Sequence, residues 1–511
     1  MEKDSRIAHS LINIRVGILF LIAEVIIRFF TRKIFIDYLG TEILGLNTTA
    51  INILAFINLA ELGVDAAVKV NLYKPFFRHD YDSVKEIIAL EGYIYRRISV
   101  AVIIIGLIVM CFFPWIFAKM ELPLWYAYAS FGALMFSSVI GNFVNYRQVA
   151  FYADQKQYHI QYAFSSLMLL KLIFQALAVK YLEDGYVWWL VFEVIFAVLG
   201  ALSLRHITRK HFPFLGKVSK GYKELIATYR DVSVKIKQLF FHKVGSFALT
   251  ETTPLIIYSF ISLNEVTLYM NYYLIINNVL KLCDASVQGV FSSTGNLVAE
   301  GDRQRCVKVF EEIFYVRFIM AGFAAFGLLT LVPAFICNWI GDSFLLSPMS
   351  LLLMVALIFI RINRFAVDSF INGYGLFSDT WAPIAEAVTN VSCSIIGGYI
   401  WGLNGILLGC LSGTSFIILL WKPYFLFKNG FKTGVGMYYR TYAKCMLIFA
   451  ASCIIVSYLL YCMHTDPATC WTDFVVYAAV ASGAFPSVMI ALMFMFSSSM
   501  RNFAARFITS R

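Results

Sequence analysis

The sequence predicts an all-α polytopic integral membrane protein of about 14 transmembrane helices, in two parallel six-helix lobes plus two C-terminal helices, N-in and C-in. Three observations predict it: long apolar stretches, positive charge confined to alternate connections, and one motif order that occurs twice. The 511 residues are 60% hydrophobic and 14% charged, with a mean hydropathy of +0.73. Crossing a hydrocarbon core of about 30 Å takes about 20 apolar residues, more than core helices of soluble proteins supply.

In chain order the expected spans are 14–36, 45–68, 94–117, 124–146, 160–181 and 186–204. After a polar break follow 244–262, 269–292, 313–336, 349–372, 381–401, 405–421, 444–463 and 474–497. Spans 381–401 and 405–421 are separated by little more than Gly402 to Asn404. The first apolar run is too long, and too interrupted by charge, for a cleavable signal.

Orientation follows from lysine and arginine. Of 42, Arg32, Lys33, Lys119 and Lys180 lie on one side, and Arg15, Arg28, Lys171 and Lys281 fall inside spans. The remaining 34 lie on the other side, which the positive-inside rule makes cytoplasmic. The net charge of +11 is therefore mainly topogenic, and no nucleic acid is expected as partner. The densest basic stretch, 205–243, interleaves Arg209, Lys210, Lys220 and Lys223 with Leu225, Ile226 and Val232. It fits either a segment lying on anionic membrane lipids or an ordinary positive loop joining two halves.

The two halves echo each other. Leu39-Gly40-Thr41-Glu42 leads into a span ending at Glu61, then a loop with His79-Asp80 and then Tyr95-Arg96-Arg97. Ser262-Leu263-Asn264-Glu265 leads into a span ending at Asp284, then a loop with Gly301-Asp302 and then Tyr315-Val316-Arg317. Six spans separate the copies, so both run the same way through the bilayer, as in transporters built of parallel repeats. The expected organisation is a first lobe over 1–204, a basic cytoplasmic segment over 205–243, a second lobe over 244–421, and spans 13 and 14 with the tail over 422–511.

Ionisable groups in hydrocarbon are costly and usually face a bundle interior or a water-filled cavity. Glu24, Arg28 and Arg32 share a helix face, as do Asn58, Glu61, Asp65 and Lys69. Asn277, Lys281 and Asp284 repeat that spacing, and so do Arg361, Arg364 and Asp368. Lys171, Glu193, Glu251 and Glu386 stand more isolated. Glu24 with Arg28, and Asp65 with Lys69, also fit simple intrahelical pairs; Arg361 and Arg364 also fit topogenic charges at a span end. Gly405-x3-Gly409-x3-Gly413 is a small-residue stripe that permits close helix packing. The ten cysteines form no CxxC, though Cys462 and Cys470 flank one external loop, and the seven histidines form no cluster. No metal or cofactor is expected, and with no Walker motif any driving energy comes from a gradient, the membrane potential or the substrate.

Residues 28–45 (RFFTRKIFIDYLGTEILG), 56–67 (FINLAELGVDAA) and Tyr73-Lys74-Pro75 resemble the Wzx-type polysaccharide flippases of the multidrug/oligosaccharidyl-lipid/polysaccharide exporter superfamily. Gly373-Tyr374-Gly375-Leu376-Phe377 is similar to that family's N-x-x-G-L-F element, with Asn372 one position closer. The resemblance implies alternating-access translocation of an undecaprenyl-diphosphate-linked oligosaccharide across the bacterial cytoplasmic (inner) membrane, for O-antigen, capsule or exopolysaccharide. It also implies a cationic cavity, and a polysaccharide polymerase and chain-length proteins as partners. Placed by burial and charge, the substrate-binding candidates are Arg15, Arg28, Lys171, Lys281, Arg361 and Arg364. Candidates for ion coupling or gating are Glu24, Glu61, Asp65, Asp284 and Asp368. Three rivals stay open: a multidrug exporter of the same superfamily, a peptidoglycan-precursor exporter, and a membrane-bound polysaccharide-assembly enzyme. The short external connections and the lack of a His-centred site speak against the enzyme.

Overall fold

The computed structural model describes residues 2–61, 64–154, 156–216, 218–230, 252–287, 300–376, 378–379 and 381–496, with 232, 236, 294, 297, 298, 500 and 501. The expected span 244–262 therefore lies outside the described residues as far as 251, and so does Glu251. The described chain is helical throughout, in two compact units, Met1–Thr267 and Leu268–Arg511. Nine helices among the described residues are long and apolar enough to cross a bilayer, which makes this a multi-pass membrane protein.

In the first unit, Glu2–Ile57 runs as one helix interrupted at Gly40, whose φ of 82° only glycine adopts without strain. That break lies between the first two expected spans. Helices Tyr81–Cys111, Trp125–Asn145, Ser166–Tyr181 and Gly185–His211 pack with it. Phe35 and Ile43 from the first helix meet Tyr186 and Leu190 in one apolar cluster. At 31 residues, Tyr81–Cys111 is about 46 Å long at about 1.5 Å per residue, so its first turns extend beyond the hydrocarbon.

The two copies of the repeated motif touch. Thr41 Oγ1 donates to Asn264 Oδ1 at 2.6 Å, and Thr267 Oγ1 donates to the Thr41 carbonyl at 2.8 Å. Gly45 lets the Leu263 backbone approach so closely that a Cβ there would overlap its carbonyl. The repeat is visible in the backbone as well. His79 and Gly301 both take left-handed φ, 56° and 80°. The next residue in each copy caps a long helix: Asp80 accepts from the Ser83 N–H at 3.1 Å, and Asp302 from the Arg305 N–H at 3.0 Å. Two hydrogen bonds from Ser83, backbone and side chain, hold the Asp80 carboxyl below the ordinary aspartate range.

The second unit is built on Arg303–Ile340, Pro348–Gly373, Trp381–Thr414, Gly436–Cys462 and Trp471–Phe496. Phe310, Phe314 and Phe318, four residues apart on one face, are fully buried with Phe370, Phe427 and Phe431. The Phe310 ring lies 5.7, 5.5 and 5.4 Å from those of Phe370, Phe427 and Phe431. Trp381–Thr414 breaks at Trp401 and Gly402, the latter with φ 58°, and folds back as a hairpin. The glycine stripe makes this possible: a Cβ on Gly405 would overlap the Gly397 backbone, and one on Gly413 would meet Asn390 N at 2.9 Å. The helix runs past the expected span end at 421. Helix continues to Phe431, loosening into π turns over Ser415–Trp421 and Phe427–Phe431 around Pro423, which has no N–H to continue the regular ladder. Cys462 and Cys470 are free thiols.

Candidate functional site

Each unit carries its own set of intramembrane charges. In the first, Arg28 Nε donates to Glu24 Oε1 at 2.7 Å, with both side chains about half exposed, at 51% and 44%. Arg15 is exposed, and among the described residues it has no carboxylate partner. Lys171 and Glu193 are not isolated, contrary to the expectation from sequence. The Lys171 ammonium sits 2.9 Å from both Glu193 oxygens, which also accept from Gln175 Nε2 at 3.1 Å and Ser137 Oγ at 3.2 Å. Helix packing explains the correction: the Ser166 and Gly185 helices lie against each other, so residues 22 apart in sequence meet.

The expectation that Asn58, Glu61, Asp65 and Lys69 share one continuous helix face also fails. The first helix tightens into a 3₁₀ turn over Asn58–Glu61, and a new helix starts at Val64. Asn58 Nδ2 donates to Ser138 Oγ at 2.9 Å and Glu61 accepts from Asn142 Nδ2, so these two face the Trp125 helix. Asp65 and Lys69 belong to the next helix, where the Lys69 ammonium lies 4.1 Å over the Tyr152 ring. Asp65 and Lys69 both act electrostatically on Glu91, which sequence reading passed over. Glu91 is fully buried, and neither carboxylate oxygen has a hydrogen-bond partner among the described residues. Reading the helix back to its cap at Asp80, instead of starting the span at 94, would have placed Glu91 inside it.

In the second unit, Asp284 is held by a residue that sequence reading placed in the repeated Tyr-x-Arg motif at the start of a span, without assigning it a partner. Arg317 is fully buried; its Nη2 meets Asp284 Oδ1 at 2.9 Å. Nη1 donates to the Cys283 carbonyl at 2.8 Å and Nε to the Ile362 carbonyl at 2.9 Å, while the guanidinium stacks 4.6 Å from the Phe365 ring. One side chain thus ties the Leu263, Arg303 and Pro348 helices together. Arg364 Nε lies 2.5 Å from Asp368 Oδ2. Glu386 is buried and within the electrostatic reach of Arg361 and Arg364. Lys422 pairs with buried Asp379 at 2.8 Å. Lys281 is exposed and Arg361 half-buried, and neither has a carboxylate at ion-pair distance among the described residues. No group of three metal-ligating side chains occurs among the described residues.

The six expected cations therefore divide evenly. Arg28, Lys171 and Arg364 are matched by acids; among the described residues Arg15, Lys281 and Arg361 are not.

No family model matches the chain, and no curated protein does. Solved structures do. The chain is similar to the lipid II flippase MurJ in an inward closed conformation, at 14% identity and a TM-score of 0.67, covering 94% of this chain and 99% of that one. It is similar to an inward-facing multidrug resistance MATE family transporter of the MOP superfamily, at 12% identity and a TM-score of 0.61, covering 82% and 98%. The chain has the fold of MOP-superfamily transporters. A third MOP-fold likeness, to MATE in a bent conformation, has 14% identity and a TM-score of 0.51 over 84% of this chain and 96% of that one.

Proposed function

We propose that this chain is a flippase that moves a polyprenyl-diphosphate-linked oligosaccharide from the inner to the outer leaflet of the bacterial cytoplasmic membrane. Alternating access between lobes at 1–204 and 244–421 carries the cargo, with 205–243 joining them and 422–511 appended. The observation that supports this reading is a set of cations without an acid partner among the described residues, Arg15, Lys281 and Arg361, on a MOP fold. A diphosphate needs charge-assisted partners to enter an apolar region, and cations already neutralised by acids would offer little. A lipid-linked cargo is in keeping with a fold shared by a lipid II flippase. An inside-negative potential favours outward movement of each negative charge by about 2.3 kcal/mol per 100 mV, so export needs no hydrolysed co-substrate. Polymerase and chain-length proteins would take the exported unit.

The second reading is a multidrug exporter, favoured by the likeness to MATE transporters and by the buried acid Glu91, a group suited to an organic cation or a coupled ion. One experiment separates them: leaflet transfer of a fluorescent polyprenyl-diphosphate oligosaccharide in proteoliposomes. Lys281→Gln and Arg361→Gln each lower transfer tenfold or more, whereas Arg28→Gln, already paired to Glu24, lowers it less. Absence of lipid-sugar transfer alongside gradient-driven efflux of an organic cation would replace the flippase by the exporter.

A further inference from the structure

On the side of the first unit that the charge pattern makes cytoplasmic lies a cavity of about 760 Å³. That size falls in the range of about 300–1,000 Å³ usual for small-ligand sites. Its basic lining comes from three separate places in the chain: Lys85 and Arg96 on the Tyr81 helix, Arg147 after the Trp125 helix, and Arg205 with Arg209 at the end of the Gly185 helix. Among the described residues, none of these five has a carboxylate at ion-pair distance. Arg147 Nε donates to the Tyr146 hydroxyl at 3.1 Å, and Arg96 lies 5.8 Å from the Tyr93 ring.

Positive charge at a cytoplasmic helix end is ordinary; convergence on one concavity without a counter-charge among the described residues is not. Topogenic charges need only be near the headgroups, and mutual repulsion favours spreading them apart. Here the fold does the opposite. Tyr146 packs against Gly92, where a Cβ would meet its ring at 2.8 Å, which brings Arg147 to the Tyr81 helix. The loop after Phe212 covers the cavity with Pro213, Leu215, Gly216 and Val218. Glu86, the neighbouring acid on the same helix, is already occupied. It pairs with Lys220 at 2.7 Å and accepts from the Tyr229 hydroxyl at 3.0 Å, fastening that loop and leaving the five cations without an acid partner among the described residues.

We infer that this cavity binds a phosphate-bearing anion of two or more negative charges, with the apolar loop residues covering the part of the ligand next to the phosphates. Arginine forks match phosphate oxygens in bidentate fashion, and five cations from three places would clamp such a group from several directions. The same chemistry serves the headgroup of an anionic lipid in the cytoplasmic leaflet and a soluble phosphate ester. The site lies wholly within the first unit and does not depend on the transport reading.

The test uses full-length purified protein with two probes. Inorganic pyrophosphate is titrated calorimetrically into protein in neutral detergent, and phosphatidylglycerol retained after extraction from phosphatidylglycerol membranes is counted by native mass spectrometry. Wild type is expected to bind at least one probe, more weakly as salt is raised, and R205Q/R209Q to weaken or lose it at least tenfold. R96Q serves as a second, single-charge variant at an exposed position should the double variant misfold. K428Q, an exposed lysine of the second unit, is expected to stay within twofold of wild type. Pyrophosphate binding alone assigns a soluble phosphate ester, phosphatidylglycerol retention alone a lipid headgroup, and both a site open to either. Binding of neither probe, or binding unchanged in both R205Q/R209Q and R96Q, overturns the site.

Discussion

The two copies of the repeated segment begin alike and diverge within about five helical turns. Asp80 and Asp302 cap their helices with near-identical geometry, each after a left-handed residue. In the repeated Tyr-x-Arg motif that follows, however, the last residue is exposed Arg97 in the first unit and fully buried Arg317 in the second. In the second unit the arginine neutralises Asp284 and satisfies two carbonyls, leaving a closed network. In the first unit the corresponding acid, Glu61, is held by an amide, and Glu91 lies nearby with no hydrogen bond among the described residues. The comparison teaches that a duplicated scaffold keeps its local, backbone-level chemistry while its long-range charge pairing drifts. One unit has been given a rigid polar anchor, and the other an unspent acid.

The sharpest way to break this comparison is Arg317→Ala. It strands two buried carbonyls and one partly exposed carboxylate, and should destabilise the second unit by roughly 2–4 kcal/mol, read as a fall in thermal midpoint and folded yield. Arg317→Lys should not restore it, because an ammonium lacks the fork that reaches three acceptors on three helices. Arg97, which the motif alignment sets opposite Arg317, stacks on the Tyr222 ring at 3.7 Å and is exposed; its loss should cost about 0.5–1 kcal/mol. Equal losses at Arg97 and Arg317 would show that the two copies share the same anchor after all.

Next in size is Glu91. Replacing a buried carboxyl that lacks hydrogen bonds among the described residues removes a desolvation cost, so Glu91→Leu is expected to leave the protein as stable or to stabilise it by about 1–3 kcal/mol. If the acid also carries a coupled ion, transport falls in that variant while the thermal midpoint does not. A large loss of stability in Glu91→Leu would mean that the carboxylate is structurally matched, and the contrast between the units would disappear.

A smaller effect than those at Arg317 and Glu91 tests what the copies hold in common. Asp80→Ala and Asp302→Ala should each cost about 1 kcal/mol, the ordinary worth of a helix cap, and by similar amounts. Protease-resistance or hydrogen-exchange measurements on the first turns of the two helices would read each separately. Unequal losses would show that the shared geometry is not shared energetics.

Much of the architecture was legible in the residues. Long apolar runs, the breaks near Gly40 and Gly402 and the glycine stripe of the hairpin are local signals. Each follows from chain length or from side-chain size within a few residues. The i, i+4 pairs Glu24–Arg28 and Arg364–Asp368 were legible for the same reason. Lys171 on Glu193, Arg317 on Asp284 and Lys422 on Asp379 were not, because each joins residues 22 to 43 positions apart, whose meeting depends on which helices are neighbours. Glu91 was hidden by a boundary: polar residues near a span end look like loop until the cap shows where the helix starts. The basic cavity was visible only as scattered positive charge. By itself the sequence determined that this chain is a helical multi-pass membrane protein, with a motif order that occurs twice and cations gathered on alternate connections. Tertiary structure alone decided which cations are neutralised and which converge, because charges at a helix end have no address until the packing of apolar faces brings those ends together.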